Sequence, residues 1–204
     1  MPKIIISALL GGLLLSLAAC QSLPHTIYSL DPRTHPDQKA YEQAIAPYIV
    51  ESKIYDGPAT GIRIMVLPLN EKVRIAQVMR QAAAHSLDTQ ATEALLSRER
   101  AEAALGLEIM ISVYTPDTID SQFNERLPSW RVFLEMPDGS QVDPIDVRQI
   151  KFKERNAMLE ALYPFWGYWD HLFRLRFPLV ATDRQIFIVF SGPQGKDQAP
   201  LILD

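Results

Sequence analysis

The sequence predicts a mainly β domain that carries an N-terminal helix and one inserted helical pair. Three observations predict it. Apart from one alternating run at residues 62–67, apolar residues recur with helical spacing up to Gly106, and they alternate with polar ones beyond it. The alternating runs are short and separated by turn-forming clusters. The 15 prolines fall mostly at the ends of these runs, where a missing N–H removes no ladder bond.

The first element is a helix opening near Thr34 or His35, with Pro36 in its first turn and Asp37 near the positive end of its dipole. Tyr41, Ala44, Ile45, Tyr48 and Ile49 share one face, and Pro47 should kink or end the helix. Asp56-Gly57-Pro58 is a turn. Ile62, Ile64 and Val66 then alternate with Arg63, Met65 and Leu67 as a strand closed by Pro68 and Asn70. Two helices follow over about residues 70–105. Ile75, Val78, Met79, Ala82 and Ala83 form the apolar face of the first. The second opens near Ser86 or Asp88, turns Ala91, Ala94 and Leu95 inward, and carries a charged outer surface from Arg98 to Glu102. Gly106 suits its C-terminal cap.

Beyond Gly106 the inward positions are Leu107, Ile109, Ile111 and Val113, then Trp130, Val132, Leu134 and Met136. Pro137-Asp138-Gly139-Ser140 is a hairpin turn. A return strand runs from Val142 to Phe152, interrupted at Pro144. A short helix over Asn156–Leu162 stops at Pro164. Strands over Tyr168–Phe177 and Gln185–Ser191 flank Thr182-Asp183, and Pro200–Leu203 adds a short edge. Short antiparallel strands between turns point to an immunoglobulin-like β-sandwich with the helical pair inserted between its first two strands. The alternative is an α+β domain with one helix-covered sheet.

The 204 residues fit a single domain, and 48% apolar with 22% charged residues is ordinary globular composition. The formal charge is −4. No concentrated basic face appears, so nucleic acid is not an expected partner.

Cysteine is the sharpest count: one, at position 20. It follows a short positive start, Met1-Pro2-Lys3, and an almost wholly apolar run from Ile4 to Leu17. About 14 residues suit an export signal and fall short of the roughly 20 that span a bilayer. Leu17-Ala18-Ala19-Cys20 resembles the lipobox of bacterial lipoproteins at every position. The resemblance implies that residues 1–19 are removed, that Cys20 takes a diacylglyceryl thioether, and that the new amino terminus is acylated. Loss of Lys3 with the signal leaves 19 basic against 24 acidic residues, a charge of −5. In enterobacterial lipoproteins an aspartate after the cysteine implies inner-membrane retention. Gln21 stands here instead, so the outer membrane, periplasmic face, is the expected location. Residues 20–33 would be the lipidated cysteine and its tether, and residues 34–204 one periplasmic domain.

Tyr114-Thr115-Pro116-Asp117, Trp130-Arg131-Val132-Phe133-Leu134 and Tyr163-Pro164-Phe165 add a second likeness. Over roughly residues 107–192 the chain resembles small lipoproteins of unknown function from Gram-negative bacteria, which implies location and domain class but no activity.

Sites of chemistry are sparse. There is no Gly-x-Ser-x-Gly elbow, and His25, His35, His85 and His171 never fall at paired ligand spacing. His171 on an apolar strand face reads best as a hydrogen-bonded core histidine. Asp170, its neighbour, points the other way. Gly192-Pro193-Gln194-Gly195-Lys196 lacks the spacing of a phosphate loop and reads as a turn. Asp138, Asp143 and Asp146 lack the ladder of a calcium loop. No metal or cofactor is expected.

The compositional anomaly is Tyr163-Pro164-Phe165-Trp166-Gly167-Tyr168-Trp169. Aromatic rings bring large apolar area with few rotors, so they stack on sugars or anchor protein partners as well as filling cores. Strand parity puts Trp169 in the core with Phe173, and leaves Trp166 and Tyr168 as the candidates for partner contact. The expected function is a lipid-anchored, non-enzymatic envelope protein that binds or scaffolds another envelope component, protein or glycan. A carbohydrate- or peptidoglycan-binding module is the alternative, and an envelope hydrolase comes last.

Overall fold

The computed structural model of the chain describes residues 31–56, 59–115, 130–180 and 184–203. The export-signal reading, Cys20, and the turns at Gly57-Pro58 and Thr182-Asp183 lie outside those residues. Within them nine strands form two antiparallel sheets, accompanied by four α-helices. The five-stranded sheet has the order β1-β2-β3-β7-β6, from β1 (Val50–Asp56), β2 (Ala59–Pro68), β3 (Leu107–Tyr114), β6 (Asp146–Ile150) and β7 (His171–Phe177). The four-stranded sheet has the order β5-β4-β8-β9, from β4 (Arg131–Glu135), β5 (Gln141–Val142), β8 (Ile186–Gly192) and β9 (Gly195–Leu201). The helices are α1 (Gln38–Ile45), α2 (Glu71–His85), α3 (Thr89–Ala103) and α4 (Ala157–Leu162).

The two sheets share one apolar core. Ile62, Ile64 and Val66 of β2, Ile109, Ile111 and Val113 of β3, and Phe173, Leu175 and Phe177 of β7 meet Trp130, Val132, Leu134, Ile186, Ile188 and Phe190. The period-2 pattern fixes this arrangement. Slipping β3 by one residue would place Glu108, Met110 and Ser112 inside, and each aliphatic side chain lost from the core forfeits roughly 1.5–3 kcal/mol. Asp197 of β9 ties the sheets at one edge, accepting from Ser52 Oγ at 2.6 Å and from Lys53 N at 3.0 Å.

The five-stranded sheet also buries its other face. Leu67, Met110 and Leu172 point away from the first core and pack under Tyr41 and Ile45 of α1, Val73 of α2, and Leu162, Tyr163 and Trp166. A helical layer therefore lies on this sheet, and helix and strand are about equally represented. The chain is mixed α+β rather than mainly β, and it carries two sheets rather than one beneath its helices.

Local chemistry sets the helix ends. Asn70, Asp88 and Asn156 each accept from the backbone N–H three residues on, capping α2, α3 and α4. Asp37, rather than Thr34 or His35, stands before α1, and Pro47 diverts the chain into a 3₁₀ turn over Ala46–Tyr48. Gly106 lies beyond the end of α3 at φ +153°, where an added Cβ would sit 2.3 Å from Phe177 O.

Several expectations are corrected. The sequence pattern does not reveal β1, because its inward Ser52 and outward Glu51 and Lys53 obscure the alternation. The helical pair consequently lies between the second and third strands. The Val142–Phe152 stretch is two strands in different sheets. In α2 the buried face holds Val73, Arg74, Gln77, Val78, Arg80 and Ala82, while Ile75 and Met79 are exposed. No residue of α3 is buried, and its Glu99 and Glu102 reach arginines of α2 and the sheet instead of facing solvent alone.

Candidate functional site

Two features of the described residues gather chemistry. The first is a cleft of about 440 Å³ between α2, α3 and the outer face of the five-stranded sheet. At its floor Glu108 is buried on β3. Arg74 Nη2 donates to Glu108 Oε2 at 2.7 Å, and Arg176 Nη2 to Glu108 Oε1 at 2.7 Å. Arg74 also donates to Leu69 O and to Glu99 Oε2 at 2.9 Å, and Arg176 to Glu102 Oε2 at 2.8 Å. Burial alone would raise the Glu108 carboxyl. The hydrogen bonds from Arg176 and Arg74, with the charges of Arg74 and Arg174, outweigh that and hold it below the usual carboxylate range. Three arginines and three glutamates balance. Arg74 and Arg176 hydrogen-bond the glutamates, whereas Arg174 approaches Glu108 only at 3.7 Å and its buried Nε has no hydrogen-bond partner among the described residues. This arrangement clasps the helical pair to the sheet. Burial beside the cleft pushes the Tyr163 hydroxyl up to about 12, so it stays protonated at neutral pH.

The second feature is the aromatic segment after α4. Trp166 is buried, 6% exposed, and packs in the second core. Its Nε1 donates to Asp170 O at 3.0 Å, and the Arg155 guanidinium lies 4.3 Å from its ring centroid. Trp166 is therefore not the exposed contact that strand parity suggested. Trp169 is not core either: it is 76% exposed, and Tyr168 beside it is 64% exposed. Parity fails because β7 begins only at His171. Before it, Asp170 N donates to Gly167 O at 3.3 Å, Gly167 N donates to Asp170 Oδ2 at 3.2 Å, and the chain turns.

The Tyr168 and Trp169 rings meet edge-on at 4.9 Å between centroids, and Phe152, 68% exposed, meets Tyr168 at 6.3 Å. Arg155 steadies this surface from behind. Its Nη1 and Nη2 donate to Gly167 O and Trp166 O, and its guanidinium lies 5.7 Å from the Tyr168 centroid. Glu160 accepts from Arg155 Nε at 2.6 Å and from Arg33 Nη1 at 2.7 Å, so a line of ion pairs runs from the first described residues to the aromatic surface.

No family model, curated protein or solved structure matches the chain. Geometry alone therefore argues for the site. Among the described residues no helix is long and apolar enough to cross a membrane, and no three His, Cys, Asp or Glu side chains converge as metal ligands.

The remaining sequence candidates have structural partners. His171 Nδ1 lies 3.0 Å from Gln149 Nε2. Asp170 is buried on the opposite side of the chain, accepting from Ser112 Oγ at 2.9 Å. Asp138 accepts from Ser140 N at 2.9 Å in the hairpin turn, and Asp143 pairs with Arg131 at 3.0 Å. Gly192 and Gly195 close the β8–β9 hairpin. Sequence reasoning overlooked Phe152 and Arg155, which lie outside the aromatic run. It also overlooked the Glu108 clasp, whose signal was an acidic residue on the helix-facing side of a strand.

Proposed function

We propose that the chain is a lipid-anchored bacterial envelope protein of non-enzymatic binding or scaffolding type, held at the periplasmic side of the outer membrane through Cys20. Its binding surface is the exposed group Phe152, Tyr168 and Trp169. The observation that carries this reading is that three large rings, Phe152 and Trp169 each meeting Tyr168, stand in solvent while Arg155, itself over buried Trp166, lies against Tyr168. Large apolar side chains grouped at a surface mark interaction sites, whereas isolated ones do not. The apolar run ending in Leu-Ala-Ala-Cys supports the anchor. The same proposal takes the two packed sheets for an immunoglobulin-like sandwich with a helical layer added.

A glycan is the second reading. It is favoured by the exposed Tyr168 and Trp169 rings, whose faces suit sugar rings.

A photocrosslinking side chain placed at Tyr168 in living bacteria tests the reading. Capture of a defined lipid, glycan or protein of the envelope is expected, with capture lost on Trp169→Ala. Equal capture from Lys72 on the exposed side of α2, or none from position 168, would overturn it.

A further inference from the structure

We infer that the aromatic surface seats on the phospholipid headgroup interface of the bilayer that holds Cys20, laying the domain on that membrane. The inference rests on the anchored-protein reading and names the partner of that same surface. Its first support is the kind of side chain exposed. Trp169 and Tyr168 combine an apolar ring with a polar N–H or O–H, the combination that settles between headgroups and acyl chains, and Phe152 adds a wholly apolar ring.

Charge is the second support. From Arg148 to Arg155 the chain carries four basic residues against one acid, Glu154. Arg148 pairs with Glu154 and Arg155 with Glu160, which leaves Lys151 and Lys153 as the uncompensated charges on a chain that is acidic overall. Lys151 and Lys153 are exposed beside Phe152. A local basic excess on an acidic chain suits an anionic lipid surface.

The third is where the chain enters the fold. The 3₁₀ turn Pro32–Thr34 packs against α4, and Arg33 reaches Glu160, which pairs with Arg155 beneath Tyr168. The entry point and the aromatic surface are therefore neighbours. Asp31 follows Cys20 by 11 residues. Even fully extended they reach only about 36–40 Å, so an acylated Cys20 keeps this side of the domain close to the bilayer. A tether of that length gives the surface a high local concentration of lipid, so modest affinity suffices for contact. A protein or glycan partner would account for the rings but not for their closeness to the chain entry.

Trp169 is its own reporter, because Trp130 and Trp166 are both buried. The mature full chain, purified from bacterial membranes, is reconstituted into vesicles of phosphatidylethanolamine and phosphatidylglycerol, with or without bromine on the acyl chains near the headgroup. Tryptophan emission should be weaker in the brominated vesicles, with the difference abolished by Trp169→Phe. Lys151→Glu with Lys153→Glu should remove most of that difference while the unfolding midpoint holds. Equal emission in both vesicles, with Trp169 open to aqueous iodide, overturns the inference. Equal emission with iodide excluded only when muropeptides are added overturns it in favour of a glycan. The mass of the mature chain separates the two layers of the argument. Lipid on Cys20 without quenching removes the surface contact and leaves the anchor. Quenching without lipid on Cys20 removes the anchor and leaves the surface contact.

Discussion

Arg74 Nη2 donates to Glu108 Oε2 at 2.7 Å, joining the inserted helix α2 to the middle strand of the five-stranded sheet. Both side chains are almost fully buried. A buried pair of this kind adds little over an apolar pair of the same shape, yet breaking it from one side costs about 3–5 kcal/mol because a charge is left buried. Glu108→Gln should therefore destabilise the protein by that order, since Arg74 and Arg176 both lose their common carboxylate. Denaturant titration at neutral pH checks this. A loss within about 0.5 kcal/mol, the scale of ordinary surface changes, would show that the clasp is idle.

The same carboxyl predicts an acid response. Glu108 is held below its ordinary value of 4.5 in the folded protein. A depressed acid contributes stability that is complete above its unfolded value and lost as pH falls through the folded one. The unfolding midpoint should thus fall on acidification below pH 4.5, more steeply than in Glu108→Gln. Parallel acid limbs for the two proteins would contradict the assignment.

How much was legible follows from what each residue does. β3 could be read directly, because Ile109, Ile111 and Val113 enter one apolar core and the period follows from that. The buried face of α2 could not. Arg74, Gln77 and Arg80 are buried; Arg74 donates to Glu108 and Arg80 to Gln38 Oε1 at 2.8 Å, while Gln77 Nε2 and Arg80 Nη1 have no hydrogen-bond partner among the described residues. Hydrophobic periodicity registers solvent transfer and is blind to such partnerships. The aromatic segment was visible as a cluster, but its split between core and surface was not. That split depends on the Gly167–Asp170 turn, which resets the parity of every ring before β7.

Glycine at 192 has a steric cause that can be tested. A Cβ there would lie 2.3 Å from Trp130 Cδ2, inside any real contact distance. Trp130 is fully buried and has no room to retreat. Gly192→Ala should cost about 1–3 kcal/mol, as overpacking of a filled core does, and should alter the near-ultraviolet circular dichroism of Trp130. An unchanged spectrum with unchanged stability would mean that the β8–β9 hairpin yields freely.

Anchoring has its own decisive variant. Cys20→Ala removes the thiol that would carry the diacylglyceryl group. The variant should take up no lipid label and should accumulate as uncleaved precursor. A Cys20→Ala protein that still matures to the wild-type size and partitions into detergent would place the anchor elsewhere.

The last prediction separates the two tryptophans of the aromatic segment. Trp166 packs in the second core under the Arg155 guanidinium, whereas Trp169 stands in solvent. Truncating a buried tryptophan removes its transfer energy and leaves a cavity, about 3–5 kcal/mol together. Arg155 would also lose the ring that it covers, although its bonds to Gly167 O and Glu160 would remain. Trp166→Ala should therefore lower the urea midpoint by about 1 M or more, taking slopes of roughly 1–3 kcal/mol per molar urea. Trp169→Ala exposes little that was not exposed already and should shift stability by about 0.5 kcal/mol or less. Capture by the crosslinker at position 168 should behave in the opposite sense, surviving neither the loss of Trp169 nor its replacement by serine. If Trp169→Ala proves the more destabilising of the two, the ring is structural, and the surface built on it is lost as a binding site.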